Sequence, residues 1–125
     1  MDKRINNVVN MTRNYVRHWD VNNDNLHFDF YEQRTRDPNI TMKMFSSVHK
    51  VDPNVQLFLT DYGIMVHNMA QSLRDQAMLF KSAGVPIHGI GIQSHLKNMD
   101  TDITAMKARL DTVAEGCPFG LRSSL

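Results

Sequence analysis

The chain alternates three times between a short apolar segment and a longer amphipathic one, and this alternation constrains its fold more than any other feature. The apolar segments are Trp19–Asn23, Gln56–Tyr62 and Ile87–Ser94, which have the length and composition of buried β-strands. The unit recurs every thirty-odd residues. Such spacing is typical of strand-helix units and leaves room for one helix after each strand.

The segments that follow these strands carry apolar residues at helical spacing and end at helix-stopping residues. A first helix is predicted over residues 41–50, ending at Asp52-Pro53, a second ends at Gly84 and Pro86, and a third is closed by Gly116. The apolar faces of the second and third helices consist of these residues: Met69, Leu73, Ala77 and Phe80, then Ile103, Met106, Leu110 and Val113.

Strands that alternate with amphipathic helices favour a parallel sheet with right-handed crossovers. We therefore predict an α/β fold of parallel (β/α) units. The three strands should be adjacent, parallel and in chain order, with the three helices on one side of the sheet.

Polar side chains end each of the three predicted strands. They are Asn23 and Asp24, then Asp61 and Tyr62, then Gln93 and His95. In parallel α/β folds, ligands bind at the carboxyl ends of the strands. A polar turn would also explain the first pair, because Asn and Asp are common turn residues. The agreement of three strand ends favours a substrate site.

The third strand has glycines and polar residues on one face. Alternation places Gly89, Gly91, Gln93 and His95 together, which suits the crowded interior of a barrel. The two glycines do not form a dinucleotide-binding loop, because the third glycine of that motif is missing and the pair lies inside a strand.

Composition excludes several classes of function. The net charge is +1 and the charged residues are scattered, so neither nucleic acid nor an anionic membrane is implied as a partner. No apolar run approaches the roughly 20 residues of a membrane span, and no signal peptide is recognisable. With one cysteine, Cys117, and six histidines that lack ligand spacing, we predict neither a disulfide nor a metal or other cofactor.

Three motifs, in this order and at these intervals, resemble the fourth, fifth and sixth strands of glycoside hydrolase family 10. They are residues 19–23 (Trp-Asp-Val-Asn-Asn), Asp61-Tyr62, and residues 89–96 (Gly-Ile-Gly-Ile-Gln-Ser-His-Leu). The residues around His27 are most similar to the animal and plant branch. The resemblance implies a partial TIM (β/α)8 barrel over residues 1–116 and a secreted, retaining endo-β-1,4-xylanase or glucanase that cleaves with two carboxylic acids.

The resemblance also implies roles for individual residues. Asp24 falls at the position of the general acid/base, and Asn23 at that of an amide that bonds the 2-hydroxyl of the cleaved sugar. Gln93 matches the glutamine that supports the acid/base region, and His95 the histidine that bonds the nucleophile. Tyr62 matches a tyrosine that approaches the sugar near the nucleophile.

The sequence departs from the family pattern in four places. Asp24 replaces Glu, Thr60 stands where Asn usually precedes Asp-Tyr, and Phe28 stands where the animal pattern has Gly. Residues 117–125 form a divergent tail in place of a seventh strand ending in Thr-Glu, so the nucleophile is absent from this sequence.

Three functions stay open at this point. The chain is an inactive piece of an enzyme that cleaves β-1,4-linked xylan or glucan, a non-catalytic glycan binder, or an interaction protein that self-associates through open sheet edges. Asp61 is expected to be structural in each case.

Overall fold

The computed structural model describes residues 1–65, 67–95 and 102–117, together with the backbone of residues 121–124. Leu96 of the third motif and residues 118–120 and 125 of the tail lie outside these ranges. In chain order the elements are α1 (Asp2–Thr12), β1 (His18–Asn23), α2 (Phe30–Thr35), α3 (Ile40–Val51), β2 (Gln56–Tyr62), α4 (Ala70–Ser82), β3 (Gly89–Gln93), α5 (Ile103–Glu115) and β4 (Leu121–Ser124). The longest helices described, α4 and α5, have 13 residues, and none could span a bilayer.

The strands form one sheet in the order β1-β2-β3-β4, and every neighbouring pair is parallel. The predicted α/β class and the adjacency of the first three strands are therefore confirmed. The fourth strand was not predicted: it begins at Leu121 and its backbone pairs with β3 from Ile90 onward. Only four residues long, it has no apolar run that would mark it in the sequence.

The hydrophobic core lies between the helices and one face of the sheet. Alternate residues of β2 and β3, such as Leu57 and Ile90, are buried in one cluster with side chains of α1, α3, α4 and α5. Phe45 of α3 meets Phe80 of α4 edge to face, with ring centroids 5.6 Å apart. The three predicted helices thus pack on the same side of the sheet, as expected.

The helix ends agree with their local sequence. Asp102 caps α5 by accepting hydrogen bonds from the backbone N–H groups of Thr104 and Ala105. After α4, Gly84 adopts a φ of 72°, the left-handed conformation that glycine takes most easily, and so ends the helix as predicted. Helices α1 and α2 lie outside the three predicted units.

A β-bulge near the end of β1 changes which side chains face the sheet interior. Asp20 is paired with Phe58 and Asn23 with Thr60, so β1 has one more residue over this stretch than β2. Val21 packs against the core and Asn22 donates a hydrogen bond to Thr41 of α3, both on the helix side. The extra residue therefore brings Asn23, rather than Asn22, to the face opposite the helices.

That opposite face, which we call the inner face, is crowded where β3 passes β2. A Cβ atom added to Gly91 would lie 2.3 Å from Oγ1 of Thr60, and one added to Gly89 would lie 2.3 Å from the ring of Phe58. Both distances are far shorter than van der Waals contact. The prediction that these glycines face a crowded interior is confirmed, because only glycine leaves space for its neighbour on β2.

We expect Gly91→Ala to lower the free energy of unfolding by about 1–3 kcal/mol, since overpacking a buried site forces its neighbours to move. Thr60 is only 2% exposed and has little room to move. Urea unfolding of Gly91→Ala, Thr60→Ala and the double variant measures this. The double variant should be more stable than the sum of the single effects predicts, whereas strict additivity would mean that the two side chains do not collide.

Candidate active site

The amide of Gln93 joins three of the residues singled out in the sequence. Its Nε2 donates to Oδ1 of Asn23 and to Oδ1 of Asp24, at 2.9 Å in both cases. Its Oε1 lies 3.0 Å from Nε2 of His95. Because an amide oxygen only accepts, this contact requires a proton on that nitrogen of the histidine. Asn23, Asp24, Gln93 and His95 thus form one network at the carboxyl ends of β1 and β3.

Asp24 occupies a tight turn directly after β1. Its φ is 61°, a left-handed conformation that Asp and Asn adopt more readily than other side chains that carry a Cβ. Its N–H donates to the carbonyl of Thr60 on β2, and its own carbonyl accepts from the N–H groups of His27 and Phe28. Hydrogen bonds at both the N–H and the carbonyl of Asp24 therefore fix the backbone that carries its carboxyl group.

Asp61 anchors that turn from the next strand. It is fully buried and accepts hydrogen bonds from the N–H of Leu26 at 2.7 Å and from its neighbour Tyr62 at 2.8 Å. Its Oδ1 also lies 2.6 Å from Nδ1 of His27. The carboxylate is thus committed to holding the loop of residues 24–28 on β2, and its position agrees with the structural role expected for it.

Tyr62 lies beside the Gln93 network. Its Cα is paired with that of Gln93 across the sheet, but its ring stacks on His27, with centroids 3.7 Å apart and an angle of 16° between the planes. The structure therefore brings the five site residues to one end of the sheet, with four of them hydrogen-bonded together and Tyr62 in contact with the Asp24 loop.

The surroundings of Asp24 favour the protonated acid. Burial raises the pKa of its carboxyl above the usual range, and the nearby negative charge of Asp61 raises it further. The hydrogen bond from Gln93 and the charges of His27 and His95 act in the opposite direction, but the pKa remains raised. A carboxylic acid that keeps its proton closer to neutral pH is better suited to act as a general acid.

Asp20 is the other carboxylate of β1 on the inner face. It accepts a hydrogen bond of 2.8 Å from Oγ1 of Thr60. Its carboxylate is therefore engaged with the same threonine whose carbonyl accepts from the N–H of Asp24.

Two other features of the described chain bear on where a ligand could bind. A cleft of about 1060 Å³ opens at the opposite end of the sheet, lined by residues 13–18 and 52–56, where the strands begin. Within the ranges that the structure describes, no three His, Cys, Asp or Glu side chains are grouped so that they could hold a metal ion.

His27 and Thr60 also contact site residues, although the sequence patterns predicted no role for either of them. His27 lies 34 positions from Asp61 in the chain, so their contact depends on the fold. The family pattern gave the only available signal, because His27 belongs to the stretch most similar to the animal and plant branch and Thr60 replaces an Asn.

Comparison with known proteins places this arrangement in context. Residues 1–119 match the family model of glycosyl hydrolase family 10. Endo-1,4-beta-xylanase 1 of Arabidopsis thaliana is 31% identical over 100 residues, which are 77% of this chain and 10% of that protein. Endo-1,4-beta-xylanase A of Thermoanaerobacterium saccharolyticum is 32% identical over 109 residues, 82% of this chain and 9% of that protein.

The solved structures give the extent of the fold. TsXylA, an intracellular xylanase from Thermoanaerobacterium saccharolyticum, superposes with a TM-score of 0.83 at 25% identity, over 98% of this chain and 41% of that one. A variant of the same enzyme in complex with xylotetraose gives a TM-score of 0.86 at 27% identity, with the same coverage. The parallel units are therefore part of a TIM barrel, as the resemblance implied. With its sequence matched over nearly its whole length and its sheet superposed on those xylanases, this chain belongs to glycosyl hydrolase family 10.

Proposed function

We propose that this chain forms one wall of a site for β-1,4-linked xylan, in which Asp24 stands at the position of the general acid. The hydrogen bonds from Gln93 to Asn23 and Asp24 carry the proposal, because they gather the polar ends of two strands at one place on the inner face. The chain spans about a tenth of the length of the curated relatives, and the substrate is inferred from their names.

The proposed chemistry follows from the protonation of each group. Asp24, with its raised pKa, is suited to donate its proton to the glycosidic oxygen in a barrel whose other wall supplies the nucleophile. Asn23 directs its carbonyl oxygen to Gln93, which leaves its Nδ2 to donate to a sugar hydroxyl. Gln93 keeps the two side chains together, and His95 fixes the orientation of the Gln93 amide.

We further propose that the 125-residue chain by itself binds xylo-oligosaccharide without cleaving it. Hydrolysis with retention needs a second carboxylate close to the acid. Asp61 is committed to the loop anchor, and Asp20 accepts a hydrogen bond from Thr60. A wall with one acid and three hydrogen-bonding neighbours can still bind a sugar. We expect this binding to be weak, because so few contacts only partly offset the free-energy cost of association.

Calorimetric titration with xylotetraose tests binding. We expect a Kd on the order of 1 mM, equivalent to about 4 kcal/mol. Gln93→Ala should weaken binding at least fivefold because it releases Asn23 and Asp24 from each other. Gln71→Ala, an exposed glutamine of α4, is the matched control and should bind like the parent chain. No binding by the parent chain, or equal loss in both variants, would contradict the proposal, and cellotetraose measures the preference for xylan.

A further inference from the structure

His27 has an unusually complete set of contacts for a residue in a loop. Its Nδ1 lies 2.6 Å from Oδ1 of the buried Asp61, and its ring stacks on Tyr62 at 3.7 Å between centroids. Its backbone N–H donates to the carbonyl of Asp24 at 3.1 Å. Only 19% of its side chain is exposed. Two contacts of the imidazole and one of the backbone therefore hold His27 between β2 and the turn that carries the proposed acid.

These contacts make His27 one of the links between the Asp24 turn and the second strand. Asp61 holds the loop through Leu26 and His27, so the position of the Asp24 carboxyl depends on this pair. We infer that His27 is a positioning residue for Asp24: clamped by Asp61 and Tyr62, it fixes the turn, and its charge offsets that of Asp61 at the acid. The inference rests on the proposed function of Asp24.

The groups that face His27 come from several elements. Asp61 and Tyr62 belong to β2, and Asp24 belongs to its own loop. His67, in the segment after β2, borders the same space beside Gly63: a Cβ built there would be 3.0 Å from the ring of His67 and 4.0 Å from Nε2 of His27. His95 reaches Asp24 through Gln93. Of these groups, Asp61, His27 and His95 act on the Asp24 carboxyl through their charge.

The two possible roles of His27, electrostatic positioning and simple support of the loop, predict opposite changes in the pKa of Asp24 when His27 is replaced. If His27 only supported the loop, its loss would let water reach Asp24 and lower the pKa of that carboxyl. If its charge offsets that of Asp61, replacing it with an uncharged ring of similar shape raises the pKa of Asp24 instead. The direction of the change therefore separates the two roles.

The experiment follows the side-chain carboxyl carbon of Asp24 by NMR during a pH titration of the whole chain. His27→Phe keeps a ring on Tyr62 and removes the contact with Asp61, and we expect the midpoint for Asp24 to move upward. His67→Phe is the matched control, because it removes an imidazole that faces the same loop without contacting Asp61, and it should leave the midpoint unchanged. An unchanged or lower midpoint in His27→Phe would overturn the inference, and so would an equal rise in His67→Phe.

Two further measurements complete the test. Asp61→Asn should lower the titration midpoint of Asp24, the opposite of the change expected in His27→Phe. A rise in the midpoint would count against the inference. If Asp61→Asn does not fold, the two histidine variants decide between the two roles. Xylotetraose affinity, measured across the pH range in which Asp24 titrates, should follow the shifted midpoint in His27→Phe. The titration of Asp24 needs no sugar, so an unchanged midpoint with intact sugar binding refutes only this inference. Absence of sugar binding by the parent chain refutes the proposed function itself.

Discussion

The purified 125-residue chain should not hydrolyse an aryl β-xylobioside above the rate in buffer, and Asp24→Glu should not restore turnover. General acid assistance is worth about 10²–10⁴-fold, but it needs a nucleophile to assist. The neighbouring carboxylates, Asp61 and Asp20, are engaged with the Asp24 loop and with Thr60. A longer acid at position 24 therefore supplies no second carboxylate.

The backbone gives a second reason why the Glu variant should fail. With a φ of 61°, position 24 favours Asp, and Glu there should cost about 1 kcal/mol in strain. A substrate with a good leaving group makes the assay most sensitive, because it reduces the need for an acid. Turnover by either protein that disappears in Asp61→Asn would contradict the account and would make Asp61 a substitute catalytic group.

Asp61→Asn should lower the free energy of unfolding by about 3 kcal/mol, the largest effect that we expect for a single conservative substitution in this chain. Asp61 accepts from two backbone N–H groups and contacts His27 while fully buried. An asparagine has only one acceptor oxygen, so its NH₂ group must face a buried donor. Urea unfolding followed by circular dichroism measures the change.

Asp75→Asn is the matched control for that measurement. Asp75 pairs with Arg74 on the surface of α4, where its side chain is 56% exposed, and such pairs contribute little to stability. We expect a change below about 0.5 kcal/mol. Similar losses in both variants would show that the Asp61 anchor does not stabilise the fold beyond an ordinary surface charge.

The sequence predicted the strands and major helices because their patterns are local. Gln56–Tyr62 is a strand with the predicted bounds, and Ala70–Ser82 places the predicted residues Leu73 and Phe80 in the core. Three elements, α1, α2 and β4, escaped prediction, and for the last two the reason is physical. Helix α2 has only six residues and buries none of them, and β4 exists through its backbone pairing with β3 rather than through a hydrophobic pattern of its own.

The site was predictable in its members but not in its connections. The polar strand ends, together with the family resemblance, predicted that Asn23, Asp24 and Gln93 lie together, since parallel strands bring their carboxyl ends to one edge. The bulge that turns Asn23 inward and the contact of His27 with Asp61 depend on register and on packing between distant segments. A single sequence contains no local signal for either of them.

Residue-resolved NMR during a titration with xylotetraose tests the central claim most directly, because it shows where on the sheet the sugar binds. The account predicts that the largest shifts occur in the side chains of Asn23 and Gln93 and in the ring of His95, all at the carboxyl ends of β1 and β3. Shifts concentrated in the cleft lined by residues 13–18 and 52–56, or no saturable shifts at all, would contradict it.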